Sequence, residues 1–275
     1  MDFSSIQDAL AGLPLGPLRY YDRTGSTNVE AGNWADRGAP DLALVIADEQ
    51  TTGKGRYNRE WLTIPGVSLA FSLVIRKFEQ IASHRIEEFT HPEIFPRMTA
   101  LGSLAVSQAL KKKYNLIAQI KWPNDVLLNG CKIAGILTET HWQGDHPMAA
   151  ILGIGVNVGP ESVPSEKELI FPATCVQASL GHPISRLELL RSILEQILEW
   201  RDRLALPEFL KVWEEQLAFR GEWVDIIVEP GSDKQEVYQG LLLGLDCLGG
   251  LRLRDRSGQE YTLRMGDMRL RPSAH

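Results

Sequence analysis

Lys121, Asn124, Asp125 and Lys132 place two ammonium groups, an amide and a carboxylate on either side of a tight Asn129-Gly130 turn. The segment before the turn reads Ile120-Lys121-Trp122-Pro123-Asn124-Asp125, and the one after it Lys132-Ile133-Ala134-Gly135-Ile136-Leu137. A buried lysine on a rigid hairpin can sit beside an anionic reacting centre, where water screens its charge least. Upstream, Gly53-Lys54-Gly55-Arg56-Tyr57-Asn58-Arg59 packs three cations and two glycines into seven residues. Glycine lets the backbone approach a ligand closely, and amides with cations suit phosphate. No Ser or Thr follows the Gly-Lys pair at the spacing of a Walker A loop. Together the two clusters point to an enzyme that activates a carboxylic acid with a nucleotide.

Taken singly, each of these residues also has a purely structural use. Asn124 and Asp125 suit a turn after Pro123, and a basic glycine loop is often a solvated turn. Lys132 could stand at a strand end on the surface, or point into a pocket with Gly135 admitting a ligand against the strand. Ser26 and Thr27 suit a helix cap. Gly153-Ile154-Gly155-Val156-Asn157 could be a bulged strand ending on a polar residue.

The elements that must hold these groups follow from periodicity. Ser26-Thr27-Asn28-Val29-Glu30 has the form of a capping box, which predicts a short helix through Trp34 ending near Gly38. Apolar runs predict strands over 42–47 and 67–75, with a polar loop over 48–60 between them. Residues 77–96 are mixed and proline-bounded, a variable excursion. A helix over 99–113 carries Lys111, Lys112 and Lys113 at its negative pole, a more economical use of that run than a binding patch. Strands are expected over 116–121, 126–128, 132–140 and 148–158, with Asn129-Gly130 as the hairpin turn. Helices are expected over 185–204, with Ser185 and Glu188 as a capping pair, and over 207–219. After Arg220-Gly221 only short strands remain, over 223–228, 237–243, 251–253 and 261–265. That divides the chain into an α+β body, 1–221, and a small β-module, 222–275, of a size that benefits from docking.

Composition excludes several classes. A net charge of -6 argues against a general nucleic-acid binder. Cys131, Cys175 and Cys247 form neither a metal pattern nor a disulfide framework, which favours a reducing compartment. The first 13 residues lack the basic and apolar regions of a signal peptide, and no stretch approaches the roughly 20 apolar residues of a membrane span. A cytoplasmic protein with no membrane partner is expected.

In order and spacing, Ser26-Thr27-Asn28, Gln50, the Gly53–Arg59 loop with Glu60-Trp61, Lys121-Trp122-Pro123-Asn124-Asp125, Lys132-Ile133-Ala134-Gly135-Ile136-Leu137 and Gly153-Ile154-Gly155-Val156-Asn157 resemble the biotin protein ligases. The resemblance runs from about Tyr20 into the C-terminal module. It implies a class II synthetase-like body with a mixed antiparallel sheet and helices, plus a small SH3-like β-barrel. It also implies two steps: biotin and ATP give biotinyl-5′-adenylate and pyrophosphate, then a lysine of a carrier domain takes the biotinyl group and AMP leaves.

By that similarity Lys132 and Arg56 are catalytic, with Lys132 bridging the biotin carboxylate and the α-phosphate. Ser26, Thr27, Asn28, Gln50, Lys54, Gly55, Arg56, Lys132 and Gly135 bind biotin. Arg59, Trp61, Lys121, Asn124, Asp125, Asn157 and Arg271 surround the nucleotide, Trp61 as a stacking surface for adenine. Asn124 and Asp125 reach a magnesium ion brought by ATP. The implied partner is the biotin carboxyl carrier domain of acetyl-CoA carboxylase, with a homodimer as the expected assembly and no nucleic acid. Only 25 residues precede Ser26, too few for the DNA-binding module some relatives carry, so no repressor activity is expected.

Two positions depart from the commonest family loop, Gly-Arg-Gly-Arg-x-Gly-Arg: Lys54 replaces an arginine and Asn58 a glycine. A lysine lacks the planar fork of arginine, which implies weaker retention of the adenylate if that side chain helps hold it. Lipoate protein ligase, or a biotin-binding module without catalysis, are the alternative readings.

Overall fold

The computed structural model describes residues 1–76, 91–144, 146–165, 169, 171–228, 236–264 and 268–272, with the backbone alone at 58, 91–95, 143, 228, 236 and 268–272. A seven-stranded sheet forms the body, in the order β1-β2-β3-β7-β6-β5-β4. Its strands are β1 (Leu18–Thr24), β2 (Leu44–Gln50), β3 (Ser68–Ile75), β4 (Gln119–Lys121), β5 (Asp125–Leu128), β6 (Cys131–Gln143) and β7 (His146–Asn157). Only β1 and β2 pair in parallel; every other neighbour is antiparallel.

Both faces of the sheet are covered, which is why its central strands read as apolar runs rather than clean alternations. On one face lie α3 (His91–Tyr114) and α5 (Arg186–Arg201), where Leu101, Leu104, Ile193 and Ile197 join Phe71, Leu152 and Ile154 in the main core. On the other lies α2 (Thr27–Asp36), whose Ala31 and Ala35 pack on Val45, Val74 and Ile151. Helix α1 (Phe3–Leu10), α4 (Val176–Leu180) and α6 (Pro207–Glu215) complete the α-helices among the described residues.

The expected hairpin forms: Asn129 and Gly130 take φ of 50° and 77°, the left-handed pair that this turn requires. Several expectations shift. Ser26 is the N-cap of α2 but its side chain makes no cap bond, and Glu30 instead accepts from Tyr21 and Thr24 hydroxyls on β1. Strand β2 runs on to Gln50 because Glu49 and Gln50 pair with Arg23 and Thr24 of β1. Strand β1 was not expected, since an edge strand with half-exposed residues lacks an apolar signature, and α1 was not expected although Asp2 and Ser5 form a capping box at its start. Helix α3 begins at His91 and runs through Pro96, inside the span read as an excursion, of which 77–90 lie outside the described residues.

The C-terminal module is a five-stranded antiparallel sheet, ordered β11-β10-β9-β8-β12, one strand more than expected. It comprises β8 (Trp223–Val228), β9 (Glu236–Leu245), β10 (Leu251–Arg254), β11 (Glu260–Leu263) and β12 (Met268–Pro272). Its Val224, Ile226, Leu242 and Leu251 belong to the same core as the body. The β9–β10 turn is gripped by body side chains. Trp122 Nε1 donates to Gly249 O at 3.1 Å, Arg97 donates to Cys247 O at 2.5 Å, and Glu214 accepts from Leu245 N at 2.7 Å. Among the described residues no helix is long and apolar enough to cross a membrane.

Candidate functional site

The two-residue period of β6 and β7 builds the floor of a cleft on the α2 side of the sheet. Leu152, Ile154 and Val156 turn into the main core, which leaves Gly153, Gly155 and Asn157 on the opposite face. The same period on β6 puts Gly135, Leu137 and Glu139 on that face. The floor glycines make room for protein. A Cβ on Gly155 would lie 2.3 Å from Trp61 Cε2, one on Gly135 2.9 Å from Trp61 Cζ3, and one on Gly153 2.0 Å from Asn28 Oδ1. Gly135 thus admits the Trp61 indole to the strand, where the sequence suggested a ligand.

At the α2 end the cleft is a network of uncharged amides and hydroxyls backed by the Glu139 carboxylate. Thr27 donates through its amide and its hydroxyl to Gln50 Oε1, at 2.8 and 3.0 Å, and Gln50 Nε2 donates to Thr63 at 2.8 Å. Ser72, buried on β3, lies 2.6 Å from Asn28 Oδ1 and 2.8 Å from Thr27 Oγ1. Asn28 Nδ2 donates to Glu139 at 2.7 Å and to Leu137 O at 3.3 Å. Ser26, Thr27 and Asn28 are all buried.

At the β4–β6 end the groups are ionic. Lys132 Nζ forms an ion pair with Asp125 Oδ1 at 2.6 Å, while Lys121 Nζ donates to Asp125 Oδ2 at 3.3 Å. Burial pushes the Asp125 carboxyl up, but the ammonium groups of Lys132 and Lys121 outweigh it and hold the group below the usual carboxylate range. Lys121 also lies 4.3 Å over the Phe171 ring, and Lys132 5.5 Å from the Trp61 ring. The Lys132 backbone is held on both edges, by pairing with Leu127 and by bonds to Pro172 and Thr174. Asn124 copies a strand pairing: its backbone O and side-chain Nδ2 both bond to Ile136. Asn157 Nδ2 donates to Thr174 O.

The cationic loop spans the two ends. Bonds from Gly55 N to Arg59 O and from Trp61 N to Gly53 O close it as a small hairpin, with Tyr57 at φ 61° in its turn. Lys54 Nζ pairs with Glu139 at 3.4 Å, towards α2. Arg56 points the other way, donating to Asn124 Oδ1 at 3.4 Å and to the Tyr57 hydroxyl at 2.8 Å. Arg59 also stacks on Tyr57.

The resulting cleft, about 250 Å3, is lined by every site residue expected from sequence except Arg271. Arg271 lies on β12 opposite Asp225, and its side chain is outside the described residues. Sequence reasoning missed Glu139, Ser72, Thr63 and Phe171. Counting in twos from Gly135 reaches Glu139, and from Val74 reaches Ser72; nothing local marks Phe171.

Asn124 and Asp125 do not fit a protein-held magnesium ion. Both carboxylate oxygens of Asp125 face ammonium groups and Asn124 Oδ1 faces a guanidinium, so a divalent cation there would meet three positive charges. Among the described residues no His, Cys, Asp and Glu cluster is placed to hold a metal.

A family model described as the biotin/lipoate A/B protein ligase family matches residues 20–157. The biotin--[acetyl-CoA-carboxylase] ligase of Paracoccus denitrificans is 34% identical over 242 residues, 86% of this chain and 94% of its own. The bifunctional ligase/repressor BirA of Bacillus subtilis is 35% identical over 181 residues, 64% of this chain and 51% of its own, so the chain spans about half the length of that relative. Among solved structures, the biotin protein ligase from Aquifex aeolicus in complex with biotin and ATP superposes with a TM-score of 0.76 at 26% identity, covering 94% of this chain and 99% of that one.

Proposed function

The chain belongs to the biotin/lipoate A/B protein ligase family, and we propose that it activates biotin with ATP and transfers it to a lysine of a biotin carboxyl carrier domain of acetyl-CoA carboxylase. The observation that carries this reading is one cleft with a neutral hydrogen-bonding end and a Lys121–Asp125–Lys132 end, spanned by a cationic glycine loop. The named ligase relatives favour biotin over lipoate.

The chemistry follows from the charges. A carboxylate is a poor acyl donor, and its attack on a phosphate brings two anions together. In the first step a biotin carboxylate oxygen bonds to the α-phosphorus, the bond to the β-bridging oxygen breaks, and pyrophosphate leaves with the electron pair. Lys132 is proposed to lie between the two anions, with Asp125 and the doubly held backbone fixing its direction. Fixed charges of this kind need no reorganisation as the reaction proceeds. Arg56 and Arg59 on the loop supply further positive charge, and loop and Trp61 together keep water from the mixed anhydride. In the second step the acceptor lysine's amine attacks the acyl carbon, AMP departs, and the amine loses a proton.

Ser26, Thr27, Asn28 and Gln50 are proposed to hold the polar ring of biotin, Gly55 and Lys54 to cover it. Trp61, Lys121, Asn124 and Asn157 are proposed to border the nucleotide, with Arg271 reaching it from the C-terminal module. Magnesium enters the reading only as the counter-ion of the ATP phosphates, and no step is assigned to it. A cytoplasmic setting and a homodimer paired along a sheet edge belong to the same proposal.

The test is transfer of labelled biotin, in buffer containing ATP, to a purified carrier domain. Label fixed on the domain only when ATP is present supports the reading. No transfer and no pyrophosphate release overturn it, and a thermal shift with lipoate but not biotin would turn it to the other branch of the family.

A further inference from the structure

Glu139 lies outside the reacting end, yet each of its oxygens meets one of the two parts that enclose the α2 end. Oε2 accepts from Asn28 Nδ2 at 2.7 Å, and Oε1 pairs with Lys54 of the covering loop at 3.4 Å. We propose that Glu139 is the positioning residue of the acid substrate's pocket, fixing the hydrogen-bond polarity of its floor and tying down its cover.

The polarity of the floor follows from its protons. A carboxylate only accepts, so Glu139 forces the amide nitrogen of Asn28 towards itself, where Leu137 O takes a second bond. Asn28 Oδ1 must then face Ser72, 2.6 Å away, and the Ser72 proton goes to it. The Thr27 proton goes to Gln50. Thr27 and Ser72 are left with two hydroxyl protons for three oxygen–oxygen contacts, so this Thr27–Ser72–Asn28 corner of the pocket is richer in acceptors than in donors. It suits a ligand that presents N–H donors. Without a carboxylate at 139 the Asn28 amide could turn, and that preference would vanish. Gly153 keeps the amide's place open, since any Cβ there would fall on Asn28 Oδ1.

Lys54 reaches towards β6 while Arg56 reaches to Asn124, so the loop is anchored at both ends of the cleft. The Lys54 pair is half-exposed, which limits its effect to a few-fold change. The ligand named here rests on the biotin reading above; the tie itself does not.

Glu139→Gln and Glu139→Ala test both parts in the full chain. Gln keeps an acceptor for Asn28 but loses the charge that holds Lys54; Ala loses both. In Glu139→Gln, tryptic cleavage after Arg56 and Arg59 without ligand, and release of biotinyl-adenylate, should each rise about two- to five-fold at low salt. Raising salt to about 1 M should bring wild type towards the variant, because screening removes the same pair. In Glu139→Ala the KM for biotin should rise further than that for ATP. Wild-type cleavage and release rates in Glu139→Gln would overturn the tie, and equal KM changes for both substrates in Glu139→Ala would overturn the polarity role. Faster loop cleavage in a chain that makes no adenylate would keep the tie and sink the biotin reading instead.

Discussion

At the α2 end of the cleft, Thr27, Gln50, Thr63 and Ser72 bond to uncharged groups, and the Glu139 carboxylate stands behind Asn28. At the β4–β6 end, Lys121, Asp125 and Lys132 meet one another as ions. The contrast shows how one sheet face can separate recognition from chemistry. Neutral amides and hydroxyls reject a ligand that leaves them unpaired, and such selection needs no charge. Bringing two anions together needs fixed positive charge in a site poor in water. Substitutions should therefore act on one end while sparing the other.

The largest effect is expected at the charged end. Lys132→Ala should slow adenylate formation on the order of 10²–10³, by analogy with loss of one oxyanion donor. Biotin affinity in the absence of ATP should fall much less. Pyrophosphate exchange and equilibrium biotin binding measure the two separately, and an equal loss in both would erase the distinction between the ends.

Next comes Asp125→Asn, which leaves two ammonium groups facing each other and should cost about 3 kcal/mol of stability near pH 7. The sign of its pH dependence follows from the depressed carboxyl. A folded-state pKa below the unfolded value, about 3.9, gives stability that is fully present above that value. It is lost as pH falls through the lower, folded value. Urea unfolding of wild type and variant should thus differ equally from neutral pH down to about 5, and converge only below about 4. Convergence at pH 6 would mean the carboxyl is not held down by its lysines.

Two floor substitutions sharpen the contrast. Gly153→Ala pushes on Asn28 and should raise the KM for biotin about five- to ten-fold, the cost of one misplaced amide, with little change for ATP. Gly155→Ala pushes on the Trp61 indole and should do the reverse. Steady-state kinetics with each substrate varied checks both, and matching KM profiles would show that the floor does not divide. The smallest effect is expected from Lys54→Arg, whose planar fork can meet Glu139 at two points. Adenylate escape should slow by no more than about five-fold, read by chase with unlabelled biotin.

What the sequence made legible follows from how local each signal is. The Asn129-Gly130 hairpin needs only two residues in left-handed geometry, and it stands where expected. The lysines and carboxylate around it were visible by type, although their mutual pairing was not. Edge strand β1 escaped because half-exposed residues carry no periodic signal, and β2 was cut short because its polar end, Asp48 to Gln50, reads as loop. The Ser26 to Glu30 cap was misread, since Tyr21 and Thr24 on β1 compete for Glu30. Trp61 over Gly135 and Gly155 is a contact between distant segments, which spacing alone does not encode. The metal assignment to Asn124 and Asp125 was a reading of residue types, which does not register the three cations that face these groups.

The position of Lys132 relative to its substrates is best tested by a crystal structure of the chain with biotin and a non-hydrolysable ATP analogue. Lys132 Nζ is expected within about 3 Å of both the biotin carboxylate and the α-phosphate, with Asp125 still at its side. An ammonium that stays on Asp125 and reaches neither anion would contradict the proposed chemistry.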